Sequence, residues 1–189
     1  MSIALPIPVR PHLSTAKDLE CSPWKDAHCE LIRGEIIERP FLGGESGSRI
    51  NLLSFPLSIY IEDRELGVCF ASGTGFLIAR NPDTVFAPDW AFIAKDRLPQ
   101  PIPKGYISVI PDIVLETRSP SDTRREVALK VEQWLHVGVK IVWELNPATC
   151  LLTVHRSGVE PRILGREDTL TGEELLPGFE LPLQHTARG

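Results

Sequence analysis

The chain has no long apolar run. Nothing in its 189 residues approaches the roughly twenty consecutive apolar residues of a membrane span, so no transmembrane segment is expected. Metal-binding spacings are also missing. Cys21, Cys29, Cys69 and Cys150 form no C-x-x-C pair, which excludes a zinc ribbon. His12, His28, His136, His155 and His185 form no H-x-x-x-H or H-E-x-x-H arrangement, so a zinc hydrolase has no ligand set. Excess positive charge is lacking as well. Lys and Arg number 20 against 25 Asp and Glu, a formal net charge of −5. That excludes a polybasic, histone-like binder, because generic DNA affinity comes from cations that neutralise phosphates. It leaves a nuclease open, since a site of clustered carboxylates is itself acidic. The opening stretch MSIALPIPVRP has no basic n-region and no long apolar core, so no secretory signal is expected. With cysteines scattered as free thiols are in a reducing compartment, the protein reads as cytoplasmic.

What remains is ordinary for a soluble domain: 42% hydrophobic and 24% charged residues. The length fits one domain, and such a chain buries roughly 70% of its unfolded surface without staples. Residues 1–13 are Pro-rich and read as an extended arm, and 14–189 as a single domain. Ser14 or Thr15 caps a short helix to about Glu20. Residues 28–40 read as a β-hairpin, with two apolar runs flanking Arg33-Gly34-Glu35. Ile50, Leu53, Leu57 and Tyr60 mark one face of a helix, with a kink or break expected at Pro56. Strands follow over 68–70, 75–79 and 85–93, then a Pro-rich loop over 95–107. Ile110 to Thr117 is a β-rich apolar run with polar breaks at Asp112 and Glu116. Thr123 and Glu126 have capping-box spacing and open a helix carrying Val127, Val131, Trp134 and Leu135, which Gly138 ends. Trp134 and Trp143 read as core residues. Strands over 140–145 and 151–155 lead to a mixed tail with a loop at 176–179. This order gives an α/β (α+β) fold, a mixed central sheet flanked by helices with an N-terminal hairpin.

Two carboxylates sit badly in this pattern. Asp89 lies in VFAPDWAFI and Glu116 in PDIVLETRS, both within apolar runs. A buried carboxylate is costly unless it is paired or ligates a metal. Two oxygen ligands from adjacent strands suit Mg²⁺, which takes one or two protein carboxylates and keeps several waters. Strand alternation puts Val114, Glu116 and Arg118 on one face and Ile113, Leu115 and Thr117 on the other. Arg118 would therefore lie beside the metal, placed to stabilise charge on a phosphorane or to pair with Glu116 or Glu45. Lys130 falls on the flank of its helix's apolar stripe and can reach the site along its stem. Glu45 and Arg49 share a face with Leu53, and Glu45 could supply another ligand. Asp112 precedes its strand and is expected to face solvent. Arg124 and Arg125 offer weak candidate phosphate contacts, as does Arg49.

The pieces ELIRGEII, GGESGSRIN, SGTGF, PDWAFI, PDIVLETRSPSD, KVEQWLHVG and LPGFEL, in this order from about residue 30 to 183, carry a resemblance. Together they resemble the Uma-two family of restriction-endonuclease-like proteins, within the PD-(D/E)xK nuclease superfamily. The resemblance implies that Asp89 is the Asp of the PD element and Glu116 the acidic residue of the (D/E)xK element. It implies that Lys130, on the following helix, replaces the strand lysine, and that Glu45 matches the acidic residue of the first core helix. The sequence departs from the pattern at Arg118, which keeps a charge but cannot act as a base. The expected function is a Mg²⁺- or Mn²⁺-dependent endonuclease acting on nucleic acid, DNA in the first place. A homodimer is expected by analogy with enzymes that cut both strands. The alternatives are a catalytically inactive binding or regulatory module of the same fold, and a metal hydrolase of small phosphate esters.

Overall fold

The structure is a computed structural model, and it describes residues 13–21, 24, 28–119 and 122–185. The expected N-terminal arm, apart from Leu13, and the Pro120-Ser121 turn lie outside the described residues.

Helix α1 (Ala16–Leu19) is capped by Thr15, whose hydroxyl accepts from the Asp18 amide while Asp18 bonds back, a capping box. The hairpin forms as expected. Strands β1 (Cys29–Ile32) and β2 (Glu35–Glu38) pair antiparallel through Arg33 and Gly34, at φ 52° and 85°. Positive φ at both turn residues is what a tight two-residue hairpin demands.

Helix α2 (Gly44–Asp63) runs without interruption through Pro56, against the expected break. Ile50, Leu53, Leu57 and Ile61 are all buried, so four turns of apolar packing hold the helix together across the missing donor. Strands β3 (Gly67–Ala71) and β4 (Phe76–Ala79) follow.

The apolar run expected as one strand over 85–93 is two, β5 (Thr84–Phe86) and β6 (Trp90–Ala94), and they belong to different sheets. Pro88 lies at the crossing. It has no N–H to donate to a ladder, so pairing stops there and the chain changes partner. Strand β7 (Ile113–Thr117), helix α3 (Arg124–His136), and strands β8 (Ile141–Asn146), β9 (Leu151–Arg156) and β10 (Val159–Leu164) come next. The tail closes with β11 (Thr169–Gly172) and β12 (Leu176–Pro182), so the loop expected at 176–179 is strand. Phe179 there packs edge-on against Tyr60 of α2, with ring centroids 5.1 Å apart.

The central sheet has six strands in the order β10-β9-β8-β7-β6-β3; β7 and β8 are parallel and all other pairs antiparallel. The hairpin joins β5 and β4 in a second sheet of four strands, ordered β2-β1-β5-β4. The fold class is the expected one, with the strands divided among more than one sheet. One face of the central sheet carries Trp90, Ile113, Leu115 and Trp143 against α2 and β12. The other carries Ala91, Val114 and Val142 against Trp134 of α3 and against Phe76 and Phe86 of the second sheet. Alternation along β7 thus sends Glu116 to the α3 face with Val114, where the two sheets and α3 meet.

Candidate active site

Glu116 is the last residue but one of β7 and is 8% exposed. Two α3 side chains one helical turn apart reach it. The Trp134 indole N–H donates to Oε1 at 2.7 Å, and the Lys130 ammonium stands 2.9 Å from Oε2. Their spacing of four puts both on one helix face. The Thr123–Glu126 capping box fixes where that helix begins, and so which face it turns to the sheet.

Asp89 enters from the crossing between sheets. Trp90 pairs with Leu115 across β6 and β7, so Asp89, next along, comes alongside Glu116. Its amide donates to the Leu115 carbonyl at 3.0 Å, and its Oδ2 accepts from the Thr117 amide at 2.7 Å. Both ends of the residue are therefore anchored to β7.

A third carboxylate arrives from the second sheet. Glu30 of β1 is 2% exposed. Its Oε1 stands 2.9 Å from the Lys130 ammonium and 3.0 Å from the Ala87 amide, which donates to it; its Oε2 accepts from Arg39 Nε at 2.6 Å. Lys130 thus bridges Glu30 and Glu116, its ammonium 5.6 Å from the Phe86 ring centroid.

Three carboxylates share two cations here, and their ionisation reflects it. Burial pushes Glu116 up to about 7; Lys130 pulls against this, and the charges of Glu30 and Asp89 add to it. Burial also raises Asp89, opposed by Thr117, whose amide donates to it, and by Lys130. Burial would raise Glu30 too, but Lys130, Arg39 and the Ala87 amide together take it below the usual carboxylate range. Burial disfavours the Lys130 ammonium, yet Glu116 and Glu30 outweigh this and raise its pKa. Lys130 therefore stays protonated at any physiological pH, and the cluster holds more negative than positive charge once Glu116 ionises. The residues line a cavity of about 360 Å³ with Arg39 and Arg118.

A family model described as "Putative restriction endonuclease", Uma2, matches residues 17–184, nearly the whole chain. The chain belongs to the Uma2 family. A crystal structure from Anabaena variabilis, described as "a putative nuclease belonging to DUF820", superposes with a TM-score of 0.71 at 18% identity, covering 84% of this chain and 88% of that one. At this identity the likeness is one of fold. No curated protein matches the chain.

In this Uma2 chain the structure brings Asp89, Glu116, Arg118 and Lys130 into one cavity. Arg118 forms no ion pair with another described residue; the expected pairing with Glu116 is replaced by Lys130. Glu45 lies outside the cavity lining, with its side chain 65% exposed and an ion pair to Arg49 at 3.0 Å. Arg49 is itself buried on α2. Arg124 and Arg125 are exposed in the first turn of α3, also outside the lining.

Asp112 reverses its expectation. It is fully buried, and it accepts from the Ala94 amide at 2.9 Å and pairs with Arg97 at 2.5 Å and Lys140 at 2.8 Å. The strand boundary misled: Asp112 sits before β7 but its amide still pairs with Phe92 of β6, so the backbone keeps it inside the sheet. It lies at the opposite end of β7 from Glu116 and ties that end down.

Glu30 was missed, though the signal used for Asp89 and Glu116 applies to it. It stands in CELI, between apolar residues of a strand. Arg39 was missed because only the fold brings it to Glu30. Among the described residues no three His, Cys, Asp or Glu side chains converge as a ready-made metal centre.

Proposed function

We propose that this Uma2 protein is a divalent-metal-dependent phosphodiesterase acting on nucleic acid, DNA in the first place. The observation that carries the reading is the convergence of Asp89 and Glu116 from neighbouring strands in one cavity with Lys130. The donor set fits a hard cation. It is all oxygen, and Glu116, which burial first and the charges of Glu30 and Asp89 second hold up to about 7, would be favoured in its ionised form by a bound cation. Asp89 and Glu116 would hold Mg²⁺ or Mn²⁺; Glu45, outside the cavity lining and paired with Arg49, is not counted among the ligands. The bound ion would polarise the phosphoryl oxygen and make a water more acidic.

The chain's own residues supply the rest. Lys130 cannot be the base, because two carboxylates keep its proton on; its role is to neutralise charge developing on the phosphate. Arg118, the guanidinium of the lining that forms no ion pair with another described residue, is placed to take a non-bridging phosphate oxygen. Trp134 and Glu30 hold Glu116 and Lys130 in position. A reducing, cytoplasmic setting belongs to this reading, and all four cysteines are free. Two copies would pair only if both strands of a duplex are cut.

One observation favours a second reading, an inactive binding module: each Glu116 oxygen already has a partner, Trp134 or Lys130. The two readings separate on one experiment. Purified protein is given plasmid and single-stranded DNA with added Mn²⁺, and metal binding is followed by calorimetry. The enzyme reading expects cleavage that Asp89→Ala and Glu116→Ala each abolish together with metal binding. Cleavage surviving in both variants refutes the site. Absence of both metal binding and cleavage, with a partner still bound, establishes the module.

A further inference from the structure

The cavity does not end at the site. A second, larger one of about 880 Å³ lies between α2 and the edge strand β3, and Asp89 and Leu42 line both. The two therefore adjoin at Asp89 and Leu42, and together they make a two-part trough beside the proposed reacting centre. Its character is unusual for a surface that meets a polyanion. Arg39 and Lys130 in the first cavity are paired with Glu30 and Glu116, and Lys95 in the second with Glu65 at 2.7 Å. Among the described lining residues Arg118 is the one Arg or Lys without a carboxylate partner. Duplex DNA is gripped through many phosphate contacts, and free cations supply much of that affinity by displacing counterions.

The trough offers aromatic faces in place of charge. Phe41, between the lining residues Pro40 and Leu42, is 91% exposed. Its ring lies nearly parallel to that of His28, at 7° and 6.1 Å between centroids, and His28 also lines the first cavity. Phe55 lines the second cavity and is 62% exposed. Both phenyl rings stand in water outside the core, Phe55 in the lining of the second cavity and Phe41 next in sequence to two lining residues of the first. Such faces are what unstacked bases bind, whereas the bases of an intact duplex are already stacked on each other.

We propose that the substrate is single-stranded nucleic acid, threaded through this trough with bases stacked on Phe41 and Phe55 and one phosphate over Asp89 and Glu116. This rests on the nuclease reading and names its substrate class. A single strand needs one site, and so one copy of the chain. With one free cation in the described lining, a single strand would be bound with a log–log salt slope of about −0.7, weaker than is usual for such sites.

Binding is measured on Asp89→Asn, which blocks turnover, by fluorescence anisotropy of labelled single-stranded DNA, the matching RNA strand and the duplex. The expected result is single strands bound at least ten-fold tighter than duplex, with the DNA and RNA arms showing which sugar is preferred. Adding Phe41→Ala or Phe55→Ala should weaken single-strand binding about ten-fold each, and Phe41→Trp should restore it. Both positions are exposed, so the variants keep the fold. Duplex bound as tightly as single strand, or stacking variants without effect while the wild type still cleaves, overturns this proposal alone. No binding of any strand together with no cleavage by the wild type overturns the nuclease reading with it.

Discussion

At the scale of single residues, the site is a problem in charge. Glu116 has an ordinary value of 4.5 and is held near 7 in the fold, so the folded state binds a proton that the unfolded state has released. Its contribution to stability is full below the unfolded value and is lost as pH rises through the folded one. In metal-free buffer, urea unfolding should therefore give a free energy that drops by roughly 3 kcal/mol between about pH 4.5 and pH 7. Glu116→Gln, which keeps an acceptor for Trp134, should flatten that drop. Lys130→Met should cost about 3–5 kcal/mol at neutral pH, because it leaves Glu30 and Glu116 buried without their shared cation. Glu30→Gln removes a charge that raises both Asp89 and Glu116, so the acidic limb of any pH–rate profile should move to lower pH.

At the scale of elements, β7 is held differently at its two ends. Asp112 anchors the start through the Ala94 amide, Arg97 and Lys140, while Glu116 faces the cavity at the finish. Asp112→Asn should lower stability by about 1–3 kcal/mol in thermal unfolding yet leave kcat close to wild type. Asp89→Asn should do the opposite, abolishing turnover at little cost to the fold, since it removes a charge that burial disfavours. Helix α3 links the two properties. Its Thr123 cap is worth about 1 kcal/mol, so Thr123→Ala should destabilise the protein by that amount in the same melts.

At the scale of the whole molecule, the site exists because two sheets share one passage of chain. The step from β5 to β6 at Pro88-Asp89 puts one carboxylate at the seam, β7 brings a second and the hairpin a third. A ligand that binds only this assembled arrangement stabilises it by mass action. Millimolar Mn²⁺ should therefore raise the melting temperature of the wild type, and the shift should vanish in Asp89→Asn and Glu116→Gln. A shift retained in both would place the ion elsewhere.

Much of this could be read along the chain, because periodicity and capping are local. The hairpin, the apolar stripe of α2, the Thr123 cap and the facing of Glu116 are set by residues a few positions apart. The same test of a carboxylate among apolar neighbours found Asp89 and Glu116, and applied to Glu30 it would have found that too. The split of 84–94 between sheets, the burial of Asp112, and the Glu30–Lys130–Glu116 bridge belong to the tertiary structure. Each depends on which distant strand supplies a hydrogen bond or a counter-charge. That choice is made by burial of the whole core, where no local preference reaches.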